Sequence, residues 1–265
     1  MFKQRLITTL VLVPLVLIAL YYATDWMFAG LIALLLLGCT IEWLQLIPLR
    51  QLALKCLFVA VVLALAWLCQ YWFDGFLVLG FVLWLGILVA VIYFPASQST
   101  WGYPWVVNLA GLLVLPLFAQ SMIKIHAEEQ GKAFILYLLV LIWAADIGAY
   151  LTGKKFGRHK LIPAVSPGKT IEGSLGGFIL SLLIAVAGYF YFQPQTPLIW
   201  FCIAAATALI SILGDLFISI LKRRAKLKDT GHLLPGHGGV LDRLDSLIAA
   251  SPLFYWGLRL LTPGL

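Results

Sequence analysis

Long apolar runs separated by short polar stretches fill most of this 265-residue chain. A helix needs roughly 20 consecutive apolar residues to cross the hydrocarbon core of a bilayer. About nine runs approach that length, and we predict a transmembrane helix in each of them: 6–22, 26–47, 52–71, 76–94, 104–123, 133–151, 174–192, 197–221 and 245–261. The pattern therefore predicts an all-α, polytopic integral membrane protein.

Composition strengthens this prediction. The chain is 63% hydrophobic and only 11% charged, whereas about 25% of the residues in soluble domains are charged. We predict a single membrane domain over residues 1–265 and no soluble domain. Within it, residues 1–130 form an N-terminal helical scaffold, and residues 131–265 contain nearly all of the polar features.

The basic residues indicate how the helices are oriented. If the N-terminus is cytoplasmic and nine helices cross, all but three of the 18 Lys and Arg residues lie on the cytoplasmic side; the exceptions are Lys124, Lys132 and Arg259. Such a bias is typical of membrane proteins. We therefore predict a C-terminus outside and two cytoplasmic loops, 152–173 and 222–244.

The formal net charge of +7 does not indicate a nucleic-acid partner. The basic residues are concentrated in two clusters, and each cluster lies next to an apolar run rather than along one extended face. Anionic lipid headgroups or phosphorylated substrates suit this distribution better. We predict membrane lipids as partners and no nucleic acid.

Asp146 and Glu42 are carboxylates inside apolar runs in different parts of the chain. Asp146 precedes Tyr150 by four residues, so both share a helix face. A carboxylate well inside an apolar run usually faces a wet cavity or a cation, although a structural pair with a loop lysine is the alternative. Glu42 lies about a turn from the inner end of its run, and we predict a structural or interfacial role for it.

The first polar loop contains Ser166 and the triplet Gly168-Lys169-Thr170. This triplet resembles the end of a P-loop, but Pro163 occupies the position of the first glycine, and we predict no strand before the triplet. We therefore reject a P-loop. Exposed amides beside a lysine still favour phosphate oxygens.

The second polar loop follows a helix with a polar stripe. Asp215, Ser219 and Lys222 recur at intervals of four and three, so they line one face. Further cations follow Lys222 and provide donors suited to a polyphosphate; anionic lipid is the alternative partner for Arg224 and Lys226.

The glycine-rich run 235–239 cannot be helical and lets the backbone approach a ligand closely. Asp242 and Asp245 then begin the last helix on one face, and a helix cap is the ordinary explanation for one of them. Together with Asp215 they supply oxygen ligands beside cationic donors. A magnesium-bound triphosphate requires this combination.

The segment from Ser219 to Asp245 resembles the phosphatidate cytidylyltransferase (CDP-diacylglycerol synthase) family. The resemblance rests on Ser219, Leu221-Lys222-Arg223, Lys228-Asp229, Gly231, Leu234-Pro235, His237-Gly238-Gly239-Val240 and Asp242-Arg243-Leu244-Asp245. The stretch from Asp146 to Gly173 is similar to that family as well. The matching block covers about a tenth of the chain.

This resemblance implies an enzyme of the bacterial cytoplasmic (inner) membrane with its active site facing the cytoplasm. Such an enzyme joins CTP and phosphatidic acid to give CDP-diacylglycerol and pyrophosphate. The resemblance also implies magnesium dependence, with a second metal ion left open, and a homodimer.

The same resemblance assigns roles to residues. Metal ligands would be Asp215 and Asp242, with Asp245 assisting. The catalytic candidates are Asp215, Lys222, Arg223, Lys228, Asp229, His237, Asp242, Arg243 and Asp245. The substrate-binding candidates are Asp146, Ser166, Lys169, Thr170, Ser219, Gly238 and Gly239.

Two other functions remain as alternatives. A CTP-dependent polyprenol or dolichol kinase would share the use of CTP, whereas a CDP-alcohol phosphotransferase would need an Asp-Gly-x-x-Ala-Arg motif that the sequence lacks. An ion-coupled transporter could use Asp146 and Asp215 as ion sites. Transporters often contain inverted repeats, but here the polar features lie in the second half.

The predicted orientation can be tested with a reporter fused after Leu265. We expect the reporter to behave as a protein outside the cytoplasm, because nine crossings from a cytoplasmic N-terminus place the C-terminus there. The same reporter fused within loop 222–244 should behave as cytoplasmic. A cytoplasmic signal from the C-terminal fusion would contradict this arrangement.

Overall fold

A computed structural model describes residues 13–97, 99, 103–231 and 238–261. These residues contain nine α-helices: α1 (Val13–Tyr22), α2 (Asp25–Trp43), α3 (Leu52–Cys69), α4 (Phe73–Ile92), α5 (Pro104–Ala127), α6 (Gly131–Phe156), α7 (Ile171–Phe192), α8 (Pro197–Arg224) and α9 (Leu241–Leu261). A 3-10 turn, Leu44–Leu46, follows α2. Each predicted apolar run contains one helix, so the all-α, polytopic prediction is confirmed.

Seven of these helices, α2 to α8, are long and apolar enough to cross a membrane. The described part of α1 is shorter, and α9 contains Asp242, Arg243 and Asp245 in its first turns. The predicted total of nine crossings, and the side of the membrane on which each terminus lies, therefore stay predictions.

The two polar loops are shorter than predicted because helices extend into both of them. α6 continues to Phe156, and α7 already begins at Ile171. Between these helices lies a hairpin of two antiparallel strands, β1 (Lys160–Ile162) and β2 (Ser166–Thr170). The prediction that no strand precedes the Gly-Lys-Thr triplet was wrong, because β1 precedes it and β2 contains it.

α5 lies at the centre of the helix bundle and packs against α2, α3, α4, α6 and α9. Bulky side chains that are 0–1% exposed fill the interior, among them Trp43, Phe118, Phe217 and Phe254. The Trp43 indole Nε1 donates to the Val107 carbonyl oxygen over 3.2 Å. This contact ties the end of α2 to α5.

Charged side chains at one end of the bundle link several helices. At the start of α2 Asp25 pairs with His126 of α5 over 2.9 Å, and Arg259 near the end of α9 pairs with Asp74 of α4. Lys124 lies over the Phe73 ring, 5.1 Å from its centroid. The first polar loop and the described residues of the second lie at the opposite end, where α8 ends and α9 begins.

Glycines allow α6 and α7 to pack closely. A Cβ atom on Gly177 of α7 would overlap the Ala145 carbonyl oxygen of α6. A Cβ atom on Gly148 of α6 would lie only 2.8 Å from the Gly176 carbonyl oxygen. The two helices that flank the hairpin are therefore held in contact along their backbones, which fixes the base of β1 and β2.

The substitution Gly177→Val tests this packing. We expect it to lower the free energy of unfolding by about 1–3 kcal/mol, because the new side chain must displace the α6 backbone. Thermal unfolding in detergent measures the effect. Gly86→Val on α4 is the control, since nothing lies within 4 Å of a Cβ atom there. Equal stability of the two variants would contradict the close packing.

Candidate active site

Two ion pairs join the polar stretches that the sequence keeps apart. Lys169 Nζ of β2 lies 2.6 Å from Asp215 Oδ2 of α8. Lys222 Nζ, near the end of α8, lies 2.8 Å from Asp242 Oδ1 of α9. The structure therefore brings the first loop, the end of α8 and the start of α9 together into one charged cluster.

Asp242 is the most buried member of this cluster, with a side chain only 2% exposed. Its Oδ2 accepts hydrogen bonds from the backbone amides of Thr230 and Gly239, over 2.7 and 3.0 Å. Burial alone would raise the pKa of the Asp242 carboxyl, but the hydrogen bonds, above all the one from Lys222, outweigh it and lower the pKa. Asp242 is therefore held as a carboxylate.

Gly238 shapes the backbone around Asp242. It has a φ of +84°, a conformation that L side chains rarely adopt. A Cβ atom there would lie 2.9 Å from Asp242 Oδ2 and 3.3 Å from the Cβ of Asp229. Glycine at this position therefore lets the loop close over the carboxylate and brings Asp229 near it.

Asp215 is the centre of a second group of charges. Its Oδ1 accepts from the Ser219 hydroxyl over 3.2 Å, as the spacing of the polar stripe predicted. Asp146 of α6 interacts electrostatically with Asp215, Lys169 and Arg243. The Lys169 ammonium lies against Asp215, and both predicted roles of Asp146, facing a cavity or cation and pairing with a loop lysine, stay predictions.

Asp245 also lies in this group. Its carboxyl group lies close enough to that of Asp215 for the two to interact electrostatically, and its Oδ1 accepts from the Ser246 amide over 2.7 Å. Its carbonyl oxygen packs against Gly214, where a Cβ atom would lie 2.6 Å away. This close approach of α9 to α8 brings the carboxylates of the two helices to one place.

The remaining candidates lie around this centre. Arg223, Lys228 and Arg243 are exposed, and the Arg223 Nε donates to the Val165 carbonyl oxygen of the hairpin over 3.2 Å. Ser166 lies in β2 and is half-buried. His237 lies outside the described residues.

Thr170 has a structural contact. Its side chain is buried, and its Oγ1 accepts from the Gly173 amide over 3.1 Å, which caps the start of α7. The predicted role of Thr170 in substrate binding stays a prediction.

The carboxylates have the chemistry of a magnesium site, but the structure pairs them with lysines. Among the described residues, no group of three or more His, Cys, Asp or Glu side chains could hold a metal ion. Asp215 and Asp242 each have an ammonium against one oxygen. Oxygen donors of this kind suit Mg²⁺, so the donor set fits the ion, and the metal assignment stays a prediction.

Glu42 has the structural role that sequence analysis predicted, but the sequence did not indicate that it lies at the site. Its carboxylate is buried and accepts from Thr230 Oγ1, Val240 N and Leu241 N, over 3.0, 2.9 and 2.8 Å. Glu42 of α2 therefore caps the start of α9. We had predicted that either Asp242 or Asp245 would cap it. The signal in the sequence was a carboxylate inside an apolar run, but its partners are 188 to 199 residues away.

Two glycines of the second loop lie against the Glu42 side chain. Cβ atoms on Gly231 and on Gly239 would both overlap the Glu42 carboxylate. Sequence analysis had predicted that glycines in this loop let the backbone approach a ligand. At these two positions the space is filled by Glu42, and the role of Gly239 in substrate binding stays a prediction.

Sequence comparison identifies the family of the chain. A sequence model described as the cytidylyltransferase family matches residues 3–261. The chain belongs to the cytidylyltransferase family. The match extends through the first 130 residues, for which sequence analysis had found little beyond hydropathy.

Several bacterial members of the family are similar over most of their length. A protein of Haemophilus influenzae named phosphatidate cytidylyltransferase is 36% identical, and the alignment covers 96% of this chain and 97% of that protein. One of Pseudomonas aeruginosa with the same name is 38% identical over 96% of both chains. One of Bacillus subtilis is 34% identical over 82% of this chain and 84% of its own length.

These similarities confirm the family that the motif from Ser219 to Asp245 predicted. As a member of the cytidylyltransferase family, the protein is a nucleotidyltransferase. The roles of the individual site residues remain predictions, since a whole-chain similarity does not assign them.

The buried ion pair can be tested by stability alone. We expect Lys222→Met to lower the free energy of unfolding by up to about 3 kcal/mol, because the Asp242 carboxylate then loses its cation while it stays buried. The double variant Lys222→Met with Asp242→Asn should recover part of that loss.

Arg259→Met is the matched control for this measurement. It breaks the more exposed pair with Asp74, and such pairs contribute about 0–1 kcal/mol. Denaturant unfolding in detergent gives all four values. If Lys222→Met costs no more than Arg259→Met, the Lys222–Asp242 pair is not a buried interaction.

Proposed function

We propose that the protein transfers the cytidylyl group of CTP to phosphatidic acid, giving CDP-diacylglycerol and pyrophosphate for phospholipid biosynthesis. The observation that carries this proposal is the charged cluster of Lys169, Asp215, Lys222 and Asp242 at one end of an otherwise apolar helix bundle. A lipid phosphate and a nucleotide can meet there. The names of the bacterial relatives support the choice of lipid.

The reaction needs no covalent enzyme intermediate. A phosphate oxygen of phosphatidic acid is itself the nucleophile and forms a bond to the α-phosphorus of CTP. The bond from that phosphorus to the β-phosphate oxygen breaks, and pyrophosphate leaves with the electron pair. The protein must therefore position two anions that repel each other and neutralise the charge that develops on the leaving group.

The cations of the cluster are suited to that task. Lys169 and Lys222 are held in place by carboxylates, so their ammonium groups are already positioned beside the site. Arg223, Lys228 and Arg243 are exposed and can reach phosphate oxygens from the solvent side. We assign leaving-group stabilisation to Lys222 and these three residues. Asp229 and His237 stay catalytic candidates on the motif alone.

Lys169 could bind either anion. It belongs to β2, which also contains Ser166, and its ammonium lies against Asp215 and interacts electrostatically with Asp146; the phosphatidate headgroup and the nucleotide are both candidate ligands. We assign substrate binding to these residues together with Ser219, Gly238 and Gly239.

A magnesium ion would be held by Asp215 and Asp242, with Asp245 assisting. When bound, it supplies positive charge that counters the negative charge of the triphosphate. Lys169 and Lys222, whose ammonium groups lie beside these carboxylates, would supply further positive charge for the phosphate oxygens.

The proposal includes a location and an assembly. The protein would lie in the bacterial cytoplasmic membrane with the charged cluster facing the cytoplasm, where CTP is present, and it would act as a homodimer. Among the described residues, most Lys and Arg side chains lie at the end of the bundle that holds the cluster, which is the distribution expected for a cytoplasmic face.

Two variants test the site assignment. We expect Asp215→Asn and Asp242→Asn each to lower turnover by at least about 100-fold, because charge stabilisation at the reacting phosphate is lost. Turnover is measured as CDP-lipid formed from CTP and phosphatidic acid with magnesium, with a polyprenol offered in a parallel assay. Thermal unfolding confirms that each variant is folded.

Asp74→Asn is the matched control, because Asp74 lies at the opposite end of the bundle beside Arg259. Its turnover should equal that of the unmodified protein. Near-normal rates in both site variants would refute the assignment, and transfer to polyprenol alone would refute the choice of lipid.

A further inference from the structure

Glu42 belongs to the N-terminal half of the chain, yet its contacts lie in the site. The carboxylate is 6% exposed, and its three donors are uncharged groups: the Thr230 hydroxyl and the amides of Val240 and Leu241. The two amides belong to the start of α9. Because the first amides of a helix have no partner within the helix, a carboxylate there fixes where the helix begins.

The end of α2 that carries Glu42 is itself rigidly held. Trp43 is 0% exposed, donates to Val107 of α5 and packs against the Phe217 ring of α8, with 6.3 Å between the ring centroids. Arg224 at the end of α8 donates to the Leu46 carbonyl oxygen over 3.0 Å. Glu42 is thus fixed relative to α8, the helix that contains Asp215 and Lys222.

Thr230 connects Glu42 directly to Asp242. Its hydroxyl donates to Glu42 Oε2 and its amide donates to Asp242 Oδ2. Asp242 in turn accepts a hydrogen bond from the Lys222 ammonium. One continuous chain of hydrogen bonds therefore runs from α2 through the loop to the carboxylate and the cation of the site.

The loop backbone is also built around this carboxylate. Only glycine fits at positions 231 and 239, where a Cβ atom would overlap the Glu42 oxygens. The loop therefore contacts Glu42 both before and after the segment between those glycines.

We infer that Glu42 is a positioning residue for the transfer reaction: it holds α9 and Thr230 against α8 so that Asp242 meets Lys222. Glu42 does not touch the substrates; it acts through Thr230, Val240 and Leu241. The expected effect on kcat rests on the proposed function. The expected effect on the position of α9 and Thr230 rests on geometry alone.

The substitution Glu42→Gln tests the inference in purified full-length protein, because it keeps the size of the side chain but places an amide against three donors. Magnesium, CTP and phosphatidic acid in mixed micelles are the probes. We expect kcat to fall by about tenfold or more, since a carboxylate that accepts several hydrogen bonds is lost. The KM for CTP should change by less than threefold.

Hydrogen–deuterium exchange supplies a readout that does not depend on turnover. In Glu42→Gln we expect faster exchange at residues 238–245 and unchanged exchange in α2 to α5. Glu129→Gln is the matched control, because Glu129 is exposed at the opposite end of the bundle; it should behave as the unmodified protein does in both measurements.

Thr230 gives a second pair of variants if Glu42→Gln does not fold. Thr230→Val removes the hydroxyl that links the two carboxylates and should lower kcat, whereas Thr230→Ser keeps it and should restore kcat. The inference is overturned if Thr230→Val keeps normal kcat, if folded Glu42→Gln does so, or if exchange rises uniformly over all helices. Absence of turnover in the unmodified protein would instead refute the proposed function, and the exchange result would still decide the role of Glu42.

Discussion

The Asp242 carboxylate is charged and almost completely buried, and the arrangement of the site depends on how that charge is satisfied. An isolated charge in such surroundings is costly unless it is paired and hydrogen-bonded. Asp242 receives one ammonium and two amides, which come from α8 and from the loop on both sides of the undescribed segment. These partners lie far apart in sequence, so the requirement to surround one carboxylate brings several elements to one place.

The need to surround a buried carboxylate with donors also involves the first half of the chain, through Glu42. It is a second buried carboxylate, and its donors are the elements that also serve Asp242. The predicted division into a scaffold before residue 130 and catalytic helices after it stays a prediction, but Glu42 links the two parts. The N-terminal half contributes Glu42 of α2 to the contacts around Asp242.

Sequence patterns predicted the helices, and they singled out the charged residues that the structure brings together. Both results have physical reasons. Apolar runs of membrane length permit little besides helices, and ionisable side chains in such runs are rare enough to mark a site. The intervals between Asp215, Ser219 and Lys222 predicted a shared helix face, and the Ser219–Asp215 hydrogen bond follows from that. Sequence patterns could not predict which elements contact each other. The pairing of Lys169 with Asp215, and that of Glu42 with the start of α9, depend on how the helices pack. The short hairpin was missed because Pro163 and Gly168 have no strand preference.

The fate of labelled phosphorus decides whether this cluster of charges transfers a nucleotidyl group to a lipid phosphate. Purified protein is supplied with magnesium, phosphatidic acid and CTP labelled either at the α- or at the γ-phosphorus. The account predicts that the α label enters the lipid and that the γ label is released in pyrophosphate. Label from the γ position in the lipid, or no transfer from the α position, would contradict it.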